Sequence, residues 1–319
     1  MQLSSTVVCL GEALVDRLGP LGGDPQVDRP VDDCPGGAPA NVACGLARLG
    51  TPVVFFGRVG HDPIGEQFSA LFRQRGVKIS GLQIDPERPS RIVLVRRSQD
   101  GEREFQGFAG DRGQGFADQA LGPISFPKGA RWLLVGTIPL ATATSASTLK
   151  AVLAQACQHG TAIALDVNWR PKFWDSDADP AAGPSATAQA AVQPLLEAAA
   201  LIKLAREEAL WFFNTDDPAA VRAALPQQPD IVITDGSAPV RWCLEDQTGI
   251  QPAFNPPEVV DTTGAGDAFT AGLLHRWSAS PAERVRFAAA CGALVCGGPG
   301  GIDPQPTAAQ VEAFLGGVS

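Results

Sequence analysis

No run of apolar residues in this chain is long enough to span a bilayer, and no run of basic residues occurs. The first absence argues against a membrane-spanning helix, which needs about 20 consecutive apolar residues. The second goes with 25 basic against 34 acidic residues and a net charge of −9. That balance disfavours electrostatic binding to nucleic acid or to an anionic membrane surface. No C-x-x-C pair occurs among the seven cysteines, at 9, 34, 44, 157, 243, 291 and 296. Most lie in apolar segments, which suits buried thiols in a reducing compartment better than disulfides or zinc. Met1 to Asp16 has no basic stretch ahead of its apolar residues, and Glu12 follows soon after. A secretory signal is not expected, and the expected location is the cytoplasm. The phosphate-loop pattern G-x-x-x-x-G-K-[ST] is missing, as is a G-x-G-x-x-G opening a helix. The three histidines (61, 159, 275) are scattered and receive no chemical role. No internal repeat is visible.

What is present is a chain of 319 residues, 45% hydrophobic, able to bury a large core. Short apolar runs at Val7–Leu10, Val53–Gly57, Trp132–Val135, Ala162–Leu165, Leu201–Leu204 and Ile231–Thr234 read as buried strands. Helical patterns fall at 40–49, 64–75, 145–158, 190–200 and 206–213. This alternation predicts an α/β fold, one domain over 1–319, with a mainly parallel sheet. Segments near 14–34 and 87–110 instead alternate apolar with polar residues, with Asp100-Gly101 as a hairpin turn. They are expected to form a small antiparallel sheet outside the main one, a lid that closes over a ligand. The segment 175–190, rich in Ala, Pro, Ser and Asp, reads as a surface loop.

The most informative run is Asp261-Thr262-Thr263-Gly264-Ala265-Gly266-Asp267-Ala268-Phe269. Gly264, Ala265 and Gly266 let the backbone turn with its amides pointing one way. Ala268, Phe269, Ala271, Leu273, Leu274 and Trp277 then form an apolar helical face. The turn therefore lies at a helix N-terminus, where free amides and the helix dipole attract an anion such as phosphate. Asp267 places a carboxylate beside that site. Asp is also a favoured helix cap, and Gly-rich turns before helices are common. A proton acceptor next to a transferring phosphoryl group accounts for the combination of acid and anion site more fully than a cap does.

A second constellation is Pro35-Gly36-Gly37-Ala38-Pro39-Ala40-Asn41-Val42-Ala43, another tight turn feeding a helix that stops at Gly50. Paired glycines allow close approach of backbone to a ligand, and Asn41 offers a donor and an acceptor to a hydroxyl. The alternative is a plain loop-to-helix junction. Asp16, in Gly11-Glu12-Ala13-Leu14-Val15-Asp16, adds an acceptor suited to two adjacent hydroxyls, or is a solvated loop residue.

In order and separation these two segments resemble the signatures of the ribokinase-like family of carbohydrate kinases, also called the phosphofructokinase-B family. The likeness runs from the first strand to the last helix. The resemblance implies a three-layer α/β/α domain with a β lid, ATP as donor, Mg²⁺ as helper and a hydroxymethyl acceptor. It implies Asp267 as catalytic base, the amides of Gly264, Ala265 and Gly266 as anion hole, and Asp16, Gly36, Gly37 and Asn41 as sugar-binding positions. Thr234-Asp235-Gly236 resembles a nucleotide-contacting Thr-x-Gly turn, with an ordinary strand-end turn as the alternative. Lys203 to Glu208 resembles the strand-to-helix N-x-x-E motif, whose Glu acts through the metal's water shell; Lys203 is expected at the nucleotide and Glu208 near Mg²⁺. Ala205 stands where Asn or Ser is usual there, and Ala289 where Asn is often found under adenine. Asp261 and Thr263 correspond to positions that in many members frame a monovalent cation, potassium (K⁺).

Asp166-Val167-Asn168-Trp169-Arg170-Pro171-Lys172-Phe173-Trp174 resembles the Asp-x-Asn-x-Arg…Trp segment of fructokinases. A related segment occurs in 2-keto-3-deoxygluconate kinases, where Arg meets a carboxylate; a structural ion pair is the other reading of Arg170. Asn168 and Arg170 are thus candidate sugar contacts, and Phe105 and Phe108 either cover the sugar or pack the lid. The absence of a basic cluster around Arg170 favours an uncharged sugar, and fructose is the expected acceptor. Ribose or nucleoside phosphorylation remains open. An Asp of ordinary pKa, about 3.9, is the expected base. A non-catalytic sugar- or nucleotide-binding protein is the reading from another class. A homodimer through the lid edge is expected if the family's habit holds.

Overall fold

The computed structural model describes residues 6–98, 103–256 and 258–317. In chain order the strands are β1 (Val7–Leu10), β2 (Leu14–Leu21), β3 (Asp32–Gly36), β4 (Val53–Gly60), β5 (Lys78–Asp85), β6 (Ile92–Arg97) and β7 (Arg103–Ala109). They continue with β8 (Trp132–Val135), β9 (Ala162–Asp166), β10 (Leu201–Ala205), β11 (Asp230–Asp235), β12 (Ala238–Leu244) and β13 (Gln247–Gln251). The helices begin with α1 (Ala38–Leu49), α2 (Pro63–Arg75), α3 (Ala143–Gln158), α4 (Pro171–Trp174) and α5 (Ala186–Ala198). After them come α6 (Arg206–Phe213), α7 (Pro218–Ala223), α8 (Ala265–His275), α9 (Pro281–Val295) and α10 (Ala308–Gly317).

The main sheet has the order β13-β12-β11-β10-β9-β8-β1-β4-β5. It is parallel from β5 to β11, with β12 and β13 added antiparallel at one edge. Its strands are continuously apolar because helices cover both faces. Val7 and Cys9 of β1 join one core, with Leu46, Phe269 and Phe287, whereas Val8 and Leu10 join the other, with Leu149 and Val192. The same split separates Val53 and Phe55 from Val54 and Phe56, and Trp132 and Leu134 from Leu133 and Val135. Period-two alternation sends successive apolar side chains into different layers, which gives the three-layer α/β/α arrangement. Strand order reverses around β1, with β4 on one side and β8 on the other. The crevice beyond the carboxyl ends of such strands is where open α/β sheets take their ligands.

Every expected strand and helix is present, with differences at the boundaries. The stretch read as a loop at 175–190 turns helical at Ala186, because Ser185 Oγ accepts from Ala188 N at 3.2 Å and the alanines that follow favour helix. Ser185→Ala is expected to lower unfolding free energy by about 1 kcal/mol in a denaturant titration, with activity unchanged. The β12–β13 hairpin escaped the sequence reading because Glu245 and Asp246 turn it with φ of 50° and 64°, without the usual glycine.

A second sheet, of order β3-β2-β6-β7, is built from both lid segments. It differs from expectation in being mixed. Each segment is an antiparallel hairpin, but the inner strands β2 and β6 run parallel, with Val15 opposite Ile92. The reason is that β2 follows β1 and β6 follows β5, and those two main-sheet strands leave the sheet at the same end. The expected turn at Asp100-Gly101 lies outside the described residues. Leu14, Leu18, Val93 and Val95 form the lid's small core. At its root Arg91 is buried, donating to Asp118 at 2.8 and 3.0 Å. Its guanidinium lies 4.6, 4.3 and 4.7 Å from the ring centres of Phe108, Phe116 and Phe173.

Candidate active site

The turn before α8 requires Gly264: its φ is 78°, and a Cβ there would stand 2.5 Å from Gly301 Cα. Helix α8 then begins at Ala265 and carries Asp267 in its first turn. Gly266 and Asp267 occupy the helix start, where amides have no intrahelical acceptor. The Ala265 amide is turned toward the Thr262 carbonyl at 3.2 Å, while Gly264, Ala265 and Gly266 all line the first cavity. Ala268, Phe269, Ala271, Leu273 and Leu274 are buried as expected, whereas Trp277 lies beyond the helix end.

The two sequence constellations meet in one hydrogen bond. Asn41, in the first turn of α1, donates through Nδ2 to Asp267 Oδ2 at 2.7 Å across 226 residues of chain. Burial raises the Asp267 carboxyl from 3.8 to about 6, and the negative charge of Asp166 adds to the rise. The Asn41 amide, Lys203 and Arg170 pull it back down. The base therefore departs from the ordinary pKa expected of it.

Behind Asp267 lies a charge network. Lys203 Nζ, from the middle of β10, contacts Asp166 Oδ1 at 3.1 Å, and Thr270 Oγ1 of α8 donates to Asp166 Oδ2 at 2.8 Å. Burial opposes the lysine's charge, but Asp166, Glu208 and Asp267 outweigh it and hold its pKa above the usual value. A Cβ on Gly266 would stand 3.1 Å from Lys203 Nζ, so the ammonium reaches the phosphate-facing turn.

Two cavities converge on that turn. One, of about 520 Å³, is lined by Asp16, Asn41, Phe105, Arg170, Lys203 and Asp267, among others. The other, of about 430 Å³, is lined by Thr234, Gly236, Val240, Phe254 and Ala289. Thr262, Ala265 and Gly266 border both. The first mixes polar and apolar lining and suits a polyol; the second is a mostly apolar slot with the Thr-x-Gly turn in its lining, a fit for a flat base and its ribose.

The remaining expected residues divide between the cavities and the scaffold. Gly37 and Asn168 line the first cavity, and a Cβ on Gly37 would stand 2.6 Å from the Glu12 carbonyl oxygen. Gly36 lies in β3 beside Asp16, where a Cβ would come within 3.1 Å of the Asp16 carboxylate. Arg170 is exposed, donates to the Trp169 carbonyl at 2.9 Å, and has no carboxylate partner among the described residues. Lys172 borders the same cavity, so the basic character that sequence reading discounted is present in space. Phe105 borders the cavity, while Phe108 packs inside the lid root.

Glu208 is not brought to either cavity wall: its carboxylate accepts from Trp169 N at 2.6 Å and Ala205 N at 2.7 Å, capping α6. Asp261 accepts from Thr263 N at 3.0 Å, Thr263 Oγ1 at 2.7 Å and Gly300 N at 2.8 Å, holding its own turn together. Thr263 borders the first cavity and Asp261 does not. Sequence reasoning missed Glu12 and Asp166 as site residues; Glu12 lies two residues after β1 and Asp166 ends β9, both at the carboxyl ends of parallel strands, which is the signal that marks them.

Comparison with known proteins agrees with this geometry. The profile described as pfkB family carbohydrate kinase matches residues 4–308. A fructokinase of Klebsiella pneumoniae is 33% identical over 95% of this chain and 97% of its own length. The fructokinase of Xylella fastidiosa, solved with bound ATP, superposes with a TM-score of 0.83 at 28% identity, covering 99% of both chains. That of Vibrio cholerae O395, with fructose, ADP and calcium, gives 0.81 at 32% identity over 98% of this chain and 99% of its own. With its paired signatures joined at Asn41 and Asp267, the chain belongs to the pfkB family of carbohydrate kinases.

Proposed function

We propose that this protein is an ATP-dependent fructokinase that forms fructose 6-phosphate. The observation that carries the reading is Asp267 in the wall of the first cavity, directly after the Ala265–Gly266 segment that borders both cavities. Fructose occupies the first, its 6-hydroxyl toward Asp267, and Asp16, Gly37, Asn41, Asn168 and Arg170 surround its other oxygens. The nucleotide occupies the second, with its γ-phosphate at the Gly264–Gly266 turn. As the hydroxyl oxygen attacks phosphorus, Asp267 accepts the proton and the bond to ADP breaks. A carboxylate with a pKa near 6 is still mostly ionised at pH 7 and is a stronger base than an ordinary Asp. Lys203 offsets charge on the phosphoryl oxygens.

Mg²⁺ neutralises phosphate charge when bound. Among the described residues there is no group of three metal-ligating side chains. Phosphate oxygens and water would supply most of its ligands, as is usual for this ion. The lid closes over the sugar, and its edge strands offer a surface for a second copy. The seven unpaired thiols suit the cytoplasm; no described helix is long and apolar enough to cross a membrane. Arg170 and Lys172, two cations at the first cavity, favour a second reading, in which the acceptor is the acidic sugar 2-keto-3-deoxygluconate.

The test is ADP formation across a sugar panel with ATP and Mg²⁺. The expected result is the highest kcat/KM with fructose and phosphate on its 6-oxygen. Preference for 2-keto-3-deoxygluconate establishes the second reading, and no ADP above the sugar-free rate with any sugar leaves a binding protein.

A further inference from the structure

Glu12 is the second residue after β1, at the point where strand order reverses, and it is 3% exposed. Its Oε1 accepts from Ala38 N at 3.1 Å, so the side chain is anchored on the N-terminus of α1. Its Oε2 is buried with no partner, as is Asn41 Oδ1, and both residues line the larger cavity. Ala38 and Asn41 are three residues apart on α1 and so share a helix face. Glu12 is thus held at the start of α1 and Asn41 lies one turn along it, both at the same cavity. A helix anchor needs one oxygen; leaving a second polar atom buried and unpaired costs about 1–3 kcal/mol. Such a cost is ordinarily recovered when a ligand completes the bonding.

We propose that Glu12 is a specificity-determining sugar contact, its Oε2 hydrogen-bonding a hydroxyl of the bound ketose beside Asn41 Oδ1. This inference rests on the sugar-kinase reading above. Burial pushes the Glu12 carboxyl up to about 8, its own and the Ala38 amide oppose the rise, and the charges of Asp118 and Asp267 add to it. Asp118 faces it from the turn at Ala117–Ala120, itself paired with Arg91, and Asp267 from α8. At neutral pH the group therefore keeps its proton and donates, while Asn41 Oδ1 accepts. A donor and an acceptor side by side match a sugar hydroxyl, which is both. An ionised Glu12 can accept but no longer donate, so sugar affinity falls as pH rises through about 8.

The experiment compares wild type, Glu12→Gln and Glu12→Ala with fructose and its 1-, 3- and 4-deoxy analogues. Gln keeps a donor and an acceptor in the same outline, so its KM for fructose should stay within about 3-fold of wild type. Ala should raise KM about 10-fold, with kcat changed less. In the Ala variant one analogue should cost nothing further, because its missing hydroxyl is the one Glu12 holds. The fall of kcat/KM above about pH 8 should be present in wild type and absent in Gln. An Ala penalty equal for every analogue, or a Gln profile identical to wild type at high pH, overturns the proposal. If the Ala variant fails to fold, the Gln profile decides alone. A wild type inert toward every sugar sinks the kinase reading instead.

Discussion

Asp267→Asn is expected to lower kcat at least about 10²-fold while the protein stays folded. The substitution removes the proton acceptor but preserves shape, and the Asn oxygen still accepts from Asn41 Nδ2. Stability supplies the control. Folding raises this carboxyl from 3.8 to about 6, so the native state holds the proton more tightly than the unfolded chain. The ionised group therefore weakens the fold as pH rises through that window. Asn, which never ionises, should leave the thermal midpoint at pH 7 equal to or above that of wild type. The wild-type rate should also carry an acid limb: kcat/KM against pH should fall below a midpoint near 6, to about a tenth of its plateau at pH 5. Near-normal turnover of the Asn variant would remove Asp267 from the chemistry.

Lys203→Met has the next largest expected effect, a loss in kcat of about 10²–10³-fold. Two consequences combine. The phosphoryl group loses a fixed positive charge at the Gly266 turn, where electrostatic stabilisation acts in a site with little water. Asp166 and Asp267 lose a shared counter-charge, so the Asp267 carboxyl moves further up and the acid limb shifts to higher pH. The direction of that shift separates this account from simple damage, since a misfolded fraction lowers activity equally at every pH. Lys203→Arg keeps the charge and should restore the limb toward its original position with only part of the rate. A Met variant whose limb stays near 6 would show that Lys203 does not tune the base.

The layers of the fold were legible because a sheet covered on both faces needs continuous apolar strands, and β1, β4, β8, β9, β10 and β11 have them. The lid's mixed pairing was not, since local alternation in β2 and β6 marks them as strands but carries no direction. Of the site, Asp267 and its turn were readable from nine adjacent residues. The bond from Asn41, the raised pKa and the Lys203–Asp166 pair were not, because each joins side chains from different strands and helices. For Glu208 the motif was readable, but its two backbone partners, Trp169 N and Ala205 N, were not. Lys203 lies 33 residues from Arg170 along the chain, yet folding brings both to the same cavity.

Three rings and a carboxylate closing on the Arg91 guanidinium make a rivet through β7, the Phe116 turn and α4. Phe173 also packs against the flap core of Leu14, Leu18, Val93 and Val95, so a displacement of the flap bears directly on the short helix that begins just after Arg170. Cover and cation are thereby linked as parts of one lever.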